Sequence, residues 1–390
     1  MSESKHIGLV LPNVPSYSET FFISKIKGLS DNGFIVTLFS RGKKTKHFKL
    51  CPVVYLPVFD IDKSLFWNIL KALGLILANF GQAKKLFQLN RNDGFSLGEA
   101  FENVLINSTF LQYKLDWLHF GFGTMALQRE NVAEAIGAKM AVSFRGFDWY
   151  VYPIKNKNCY CRLFSKDVKY HVLSDGMIKA LVSKGVKKEV IVKITPAIHV
   201  DLFKNENFSI GLQQLNLLTV GRLHWIKGYD YLFQALALLK NQAVNFNYTI
   251  IGEGMENERL IFEAHQLGIS NNVRFVGKVG HDVLHKYYKS NQIYIQYSIQ
   301  EGFCNAVLEA QAAGMLCVVS DAEGLLENVE HNKTGWIVPK RNPEALAEKI
   351  LDILALSTDE KIKISKAATE RVKNNFTIEN QINQFILFYQ

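Results

Sequence analysis

Three features of the chain predict an α/β protein of two domains: its length, the alternation of short apolar runs with helical spacings, and the restart of that alternation past the midpoint. The 390 residues exceed what a single hydrophobic core usually organises. Hydrophobic residues at 48% and charged residues at 21%, with 26 Gly and 8 Pro, exclude a disordered or collagen-like chain.

The first element is the apolar run Ile7–Leu11, read as a strand. A Pro/Asn/Ser-rich turn follows, then Phe22, Ile26 and Leu29 at helical spacing; Asp31, Asn32 and Gly33 end that helix, and Phe34 to Phe39 reads as the next strand. A strand–helix–strand unit builds parallel sheets with helices on their faces. Similar signals continue at Asn103–Ile106, Trp117–Phe120, Met140–Phe144 and Glu189–Ile194, giving an amino-terminal domain over 1–205. The second begins with a strand at Gln214–Val220 and a helix at Tyr229–Lys240. The runs NFNYTIIG, NVRFVG, NQIYIQYS and GMLCVVS then read as central parallel strands, nearly continuous in apolar residues because both faces are covered. This domain spans 206–372, and 373–390 is expected as a closing helix that returns to the first domain. The halves share an architecture without internal identity.

Charge and cysteines narrow the class. Net charge is +9, and Arg41, Lys43, Lys44, Lys46 and Lys49 follow one another without an intervening acid. Such a run is a solvated loop or attracts anions such as lipid headgroups or a phosphorylated substrate. No zinc-finger spacing or RNA-binding motif accompanies it, so no nucleic-acid partner is expected. Cys51, Cys159, Cys161, Cys304 and Cys317 are too scattered for a disulfide framework, and Cys159 with Cys161 lacks the second pair of a structural zinc site. The start, MSESKH, lacks the pattern of a secretory signal, and the expectation is a cytoplasmic protein, peripheral on the membrane face if the basic run meets lipid. Leu65–Phe80 is too short to span a bilayer; a buried helix is expected, with a lipid-facing helix as the alternative. Asp60 and Asp62 read as acids at a helix start rather than a metal site, and no metal is expected.

Five blocks then occur in order: VGRLHWIKGYDYLFQAL at 220–236, IIGEGMENERL at 250–260, VRFVGKV at 273–279, EGFCNAVLEAQAAGMLCVVSD at 301–321 and HNKTGWIVP at 331–339. The chain resembles the retaining, nucleotide-sugar-dependent glycosyltransferases of the large family 4 type, which include relatives of sucrose synthase and bacterial glycogen synthase. PSYSETFF at 15–22, LHFGFG at 118–123 and SFRGFD at 143–148 extend the resemblance, more faintly, toward enzymes of bacterial capsular and extracellular polysaccharide synthesis. It implies a GT-B architecture of two Rossmann-like parallel-sheet domains facing a central cleft. It also implies transfer of a sugar, with retention, to a saccharide or lipid-linked acceptor. The donor is a nucleotide sugar, UDP-linked by preference on family breadth alone, and no further cofactor is implied.

A nucleoside diphosphate gains charge as it leaves, and fixed cations aimed at it lower the barrier. Arg222 and Lys227, after a buried strand, fit that need, although without the resemblance each also reads as a solvent-facing charge. Gly252 and Gly254 end another strand and permit close approach of a nucleotide; no third glycine completes a dinucleotide fingerprint. Glu301 and Glu309 lie eight residues apart, about 80° around a helix axis, so both can address one site if Glu301 precedes the helix. The resemblance implies that Glu301 contacts hydroxyls of the transferred sugar. It likewise brings Gly302, Phe303, Cys304 and Asn305 near the donor and gives the ribose hydroxyls to Glu309.

On the acceptor side, His119 ends a strand and stands as an acid–base or sugar-binding candidate, or as a satisfied core histidine. The second histidine of the family pattern is missing, since Phe120, Gly121 and Phe122 follow. Arg145 stands where the family commonly has histidine and is read as meeting a phosphate or acidic acceptor, or as an ion pair with Asp148. Ser18, Glu19 and Thr20 lie in the first strand-to-helix loop, to cap the helix, receive the acceptor or touch phosphate. Two alternatives remain: a sugar-nucleotide epimerase without group transfer, and a noncatalytic carbohydrate-binding or assembly protein.

Overall fold

The computed structural model describes residues 4–15, 20–42, 48–57, 65–203 and 214–390. Ser18, Glu19, Lys43, Lys44, Lys46, Asp60 and Asp62 lie outside them. Two compact units emerge. One comprises Met1–Leu173, Met177–Ile194 and Ile382–Gln390, the other Ser174–Gly176 and Thr195–Gln381.

The first unit holds a parallel sheet in the order β3-β2-β1-β4-β5-β6-β7. Its strands are β1 (His6–Leu11), β2 (Ile35–Ser40), β3 (Val53–Tyr55), β4 (Trp117–Phe120), β5 (Lys139–Ser143), β6 (Val168–Val172) and β7 (Ile191–Lys193). β1, β4 and β5 are nearly continuous apolar runs buried on both faces, as a central parallel strand must be. α1 (Thr20–Asp31) packs Phe22, Ile26 and Leu29 into a core shared with Phe385, Phe388 and Tyr389 of the terminal helix. Gly28 admits that helix, since a Cβ there would meet Ile382 at 2.2 Å.

Two expectations fail in this unit. Asn103–Ile106 is not a strand but the last turns of α4 (Leu97–Asn107), which a capping box of Ser96 and Glu99 launches; an apolar run of three residues, Val104 to Ile106, does not reveal its period. Leu65–Phe80 is not a buried helix either. α2 (Leu65–Ala78) buries Ala72, while Phe66, Trp67 and Leu77 are 64%, 70% and 75% exposed. Its opposite face is covered by α4 and the turn Ser108–Gln112, and only tertiary packing chooses which apolar face gains a neighbour.

The second unit holds a parallel sheet in the order β10-β9-β8-β11-β12-β13. Its strands are β8 (Leu215–Val220), β9 (Phe246–Ile251), β10 (Val273–Gly277), β11 (Ile293–Gln296), β12 (Leu316–Ser320) and β13 (Trp336–Val338). Each unit is thus Rossmann-like, and together they make a GT-B fold. In the second sheet, succession from β8 runs one way to β9 and the other way to β11. Loops leaving the carboxyl ends of β8 and β11 therefore diverge, and such a reversal opens a crevice suited to ligands.

Candidate functional site

Residues from both diverging loops meet at that reversal. The β8 loop carries Arg222, exposed, and Lys227, at the end of a short turn, Trp225–Lys227, which the His224 side chain caps at 3.3 Å to the Ile226 N–H. The β11 loop carries Ser298 and Glu301. A backbone bond from Ile299 N–H to Ile226 O, 2.8 Å, ties the two loops together. Gly228 is needed twice over: φ is +67°, and a Cβ would lie 2.2 Å from the Tyr297 carbonyl oxygen.

The Lys227 ammonium donates to Glu301 Oε2 at 2.5 Å, and Ser298 Oγ donates to the same oxygen at 3.2 Å. Behind Ser298 stands a buried relay, Tyr294 OH to Gln296 Oε1 at 2.8 Å and Gln296 Nε2 to Ser298 Oγ at 2.8 Å, which fixes the carboxylate. Burial alone would depress the Lys227 pKa. The Glu301 carboxylate outweighs that and raises it, while the nearby Arg222 charge works against the rise. The Lys227–Glu301 pair therefore lies within the electrostatic reach of Arg222.

The turn after β9 completes the loop cluster. A Cβ on Gly252 would lie 1.9 Å from Gly221 O, and one on Gly254 2.0 Å from Leu223 O, so both glycines let this turn lie on the Arg222 loop. From Glu301 the chain runs through Gly302, Phe303 and Cys304 to the helix Asn305–Ala312. Asn328, fully buried, clamps this segment by accepting from Cys304 N–H at 3.0 Å and donating to Cys304 O at 2.9 Å. Phe303 packs beside Phe376, ring centroids 5.9 Å apart. Burial pushes the Cys304 thiol up to about 12, Glu301 adding to the rise and Lys227 opposing it, and such a thiol stays protonated.

Glu309 is buried in the second turn of that helix and accepts from Tyr288 OH at 2.7 Å. Desolvation raises its pKa to about 7 against the hydrogen bond from Tyr288. Glu301 precedes the helix, as the spacing argument requires. Tyr288, Ser298 and Asn328 escaped the reading of the sequence; the only local signal was the placement of Ser298 three residues before Glu301.

The candidates of the first unit are placed differently. His119 is fully buried on β4, with both ring nitrogens engaged. His171 Nε2 donates to Ile194 O at 2.9 Å, which obliges Ser143 Oγ to donate to His171 Nδ1 at 2.7 Å and His119 Nε2 to donate to Ser143 Oγ at 2.8 Å. His119 Nδ1 then accepts from Tyr389 OH and lies 3.3 Å from Lys25 Nζ. Burial, followed by the charge of Lys25, holds the ring pKa well below its ordinary value. This is the satisfied core histidine of the two readings, and it offers no nitrogen to an acceptor.

Asp148, also fully buried, accepts from Gly123 N–H at 2.6 Å and Arg145 N–H at 2.8 Å, and burial raises its pKa to about 7. It therefore holds backbone, including that of Arg145. The Arg145 guanidinium donates through Nε to Gly121 O at 3.2 Å and lies 3.8 Å from the Phe21 ring centroid. Thr20 is the first residue of α1. Among the described residues no three His, Cys, Asp or Glu side chains stand together as a metal site would require.

Residues 203–371, nearly the whole second unit, match the family model of glycosyl transferases group 1. The amylovoran biosynthesis glycosyltransferase AmsK of Erwinia amylovora is 27% identical over 396 residues, covering 96% of this chain and 95% of that protein. The chain is a glycosyltransferase enzyme. Its fold is shared with a glycosyltransferase of Rickettsia africae, TM-score 0.73 at 22% identity, over 99% of this chain and 98% of that one. It is also shared with Anabaena HepE in complex with UDP, TM-score 0.73 at 15% identity, over 98% of each.

Proposed function

We propose that the enzyme transfers a sugar, with retention, from a nucleotide-sugar donor bound at the loops of β8, β9 and β11. The observation that carries this reading is the meeting of Arg222, Lys227 and Glu301 where the strand order reverses. Arg222 and Lys227 take the pyrophosphate and stabilise its charge as the bond from the anomeric carbon breaks. Glu301, oriented by Ser298, accepts hydroxyls of the transferred sugar. Glu309, already bonded to one hydroxyl, that of Tyr288, is suited to accept those of the ribose. Gly252 and Gly254 let the nucleotide approach backbone, and the segment 302–305 borders the donor.

A nucleoside diphosphate needs no protein acid to depart, so the reading is a front-face substitution in which the acceptor oxygen bonds to the carbon on the face the phosphate leaves. UDP is the preferred nucleotide of the donor, supported by the UDP complex of a protein with this fold. A saccharide or lipid-linked acceptor of bacterial surface polysaccharide synthesis is supported by the likeness to AmsK. Arg145 is proposed to face an anionic acceptor, and the exposed stripe of α2 to rest on an anionic membrane. A binding screen of UDP, GDP and ADP, followed by nuclear magnetic resonance of the product formed with the matching α-linked donor, tests the reading. The expected result is UDP binding and an α-linked product; a β-linked product refutes retention, and donor turnover that is indifferent to acceptor refutes transfer.

A further inference from the structure

Beside the carboxyl ends of β2, β3 and β4 the first unit contains a cavity of about 460 Å³, within the range of about 300–1,000 Å³ usual for small-molecule sites. Its walls include Arg41, Glu102, Thr124, Gln128, Arg129 and Tyr152, none of them part of the donor site.

Arg129 is the decisive group. It is 7% exposed; Nη1 donates to Met125 O at 3.0 Å, and Nε is buried without a hydrogen-bond partner among the described residues. A buried guanidinium so under-satisfied is costly unless something else compensates it. Arg41 adds a second positive charge: burial first, then Arg41, depresses the Arg129 pKa to about 10, against a partial offset from Glu130. Among the described residues no acid forms an ion pair with Arg129.

The backbone beside it is held in an uncommon conformation. Gln128 has φ +62°, and its carbonyl accepts from Asn103 Nδ2 at 2.8 Å and Asn107 Nδ2 at 2.9 Å, both asparagines being buried. A left-handed non-glycine residue persists only where its surroundings over-determine it, and such residues gather at binding sites. Here it joins the short helix Gly123–Ala126 to Arg129, whose N–H bonds Ala126 O at 2.9 Å.

We propose that this cavity binds a negatively charged saccharide, with its carboxylate or phosphate oxygens on Arg129 and Arg41 and its hydroxyls on Glu102, Gln128, Thr124 and Tyr152. Guanidinium groups match planar oxyanions, whereas a carboxylate, an amide and two hydroxyls match the hydroxyls of a sugar ring. Only the description of that saccharide as the acceptor rests on the transferase reading; the oxyanion site stands on the cavity itself.

Calorimetric titration of the full chain with methyl glucuronide, glucose 1-phosphate and methyl glucoside tests the proposal, with UDP titrated in parallel. At least one charged sugar is expected to bind 10-fold or more tightly than the neutral glucoside; the tighter of the two identifies carboxylate or phosphate as the preferred group. Arg41→Gln and Arg129→Gln are each expected to weaken it at least 10-fold while UDP affinity is unchanged. Arg41 is exposed, so its variant retains the fold even if the Arg129 variant does not, as circular dichroism would show. Charged sugars that bind no better than the glucoside, or undiminished binding in Arg41→Gln, would overturn the proposal. A failure of UDP to bind the wild type would strike the donor assignment and leave this site standing.

Discussion

Lys227 and Glu301 pair with one another, so a pyrophosphate bound as proposed shares the ammonium with a carboxylate, whereas Arg222 faces solvent. Arg222→Ala is therefore expected to leave folding intact and to slow transfer by about 10²-fold, roughly 3 kcal/mol of lost leaving-group stabilisation. Lys227→Ala should cost at least as much activity and also lower the melting temperature, since Glu301 then keeps Ser298 alone. Steady-state kinetics alongside thermal melts check both, and full turnover at saturating substrates in both variants would refute the assignment. Glu309 makes a pH prediction. Its folded pKa, about 7, lies above the ordinary 4.5, so the folded state retains a proton that the unfolded chain releases between those values. The associated stabilisation is complete below about pH 4.5 and is lost as pH rises through 7. Urea unfolding should show Glu309→Gln gaining on wild type across that window, by up to about 3 kcal/mol at pH 8. Parallel wild-type and variant profiles would refute it.

α2 carries the clearest expectation among the elements. Phe66, Leu70, Gly74 and Leu77 recur on its exposed side at helical spacing, with Trp67 and Lys71 beside them. This is an apolar stripe with a basic neighbour, the chemistry of an interfacial helix rather than of a span, and no described helix is long and apolar enough to cross a membrane. Vesicle flotation should find more protein on anionic than on neutral vesicles. Trp67→Ser with Leu77→Ser, or Lys43, Lys44 and Lys46 to Gln, should reduce that association without changing nucleotide affinity. Equal recovery from both vesicle types, or no effect of either set of substitutions, would remove the membrane proposal. The interlocked turns after β8 and β9 and the Asn328 clamp on Cys304 show the same dependence on neighbours, because each loop holds its shape by contact with another loop.

For the whole molecule, charge compensation by side chains makes a metal dispensable in the proposed mechanism. In that mechanism Arg222 and Lys227 supply the charge compensation that a divalent ion would otherwise give a pyrophosphate. EDTA is accordingly expected to leave transfer largely intact, assayed by product formation; complete loss of activity restored by magnesium or manganese would reverse this. The loops proposed to hold the donor meet where the second sheet reverses its order at β8, a property of topology that no single residue carries.

The class of fold was legible in the order of residues alone, and so were the blocks proposed to hold the donor. Apolar runs buried on both faces are continuous along the chain, and Arg222, Lys227, Gly252, Gly254, Glu301 and Glu309 fall in ordered local blocks. Partnership was decided by tertiary structure. His119 reads along the chain as either a site or a core histidine, and only in the fold do Ser143, Tyr389 and Lys25, distant in sequence, close around both of its nitrogens. Glu309 gains its raised pKa from the packing that buries it and its hydrogen-bond partner from Tyr288, Glu301 its orientation from Ser298, and α2 its exposed stripe from what α4 covers on the other side. Periodicity records which residues can share a face. Which face finds a neighbour, and which buried polar group finds a partner, is settled only when segments far apart in the chain compete for the same space and the same hydrogen bonds.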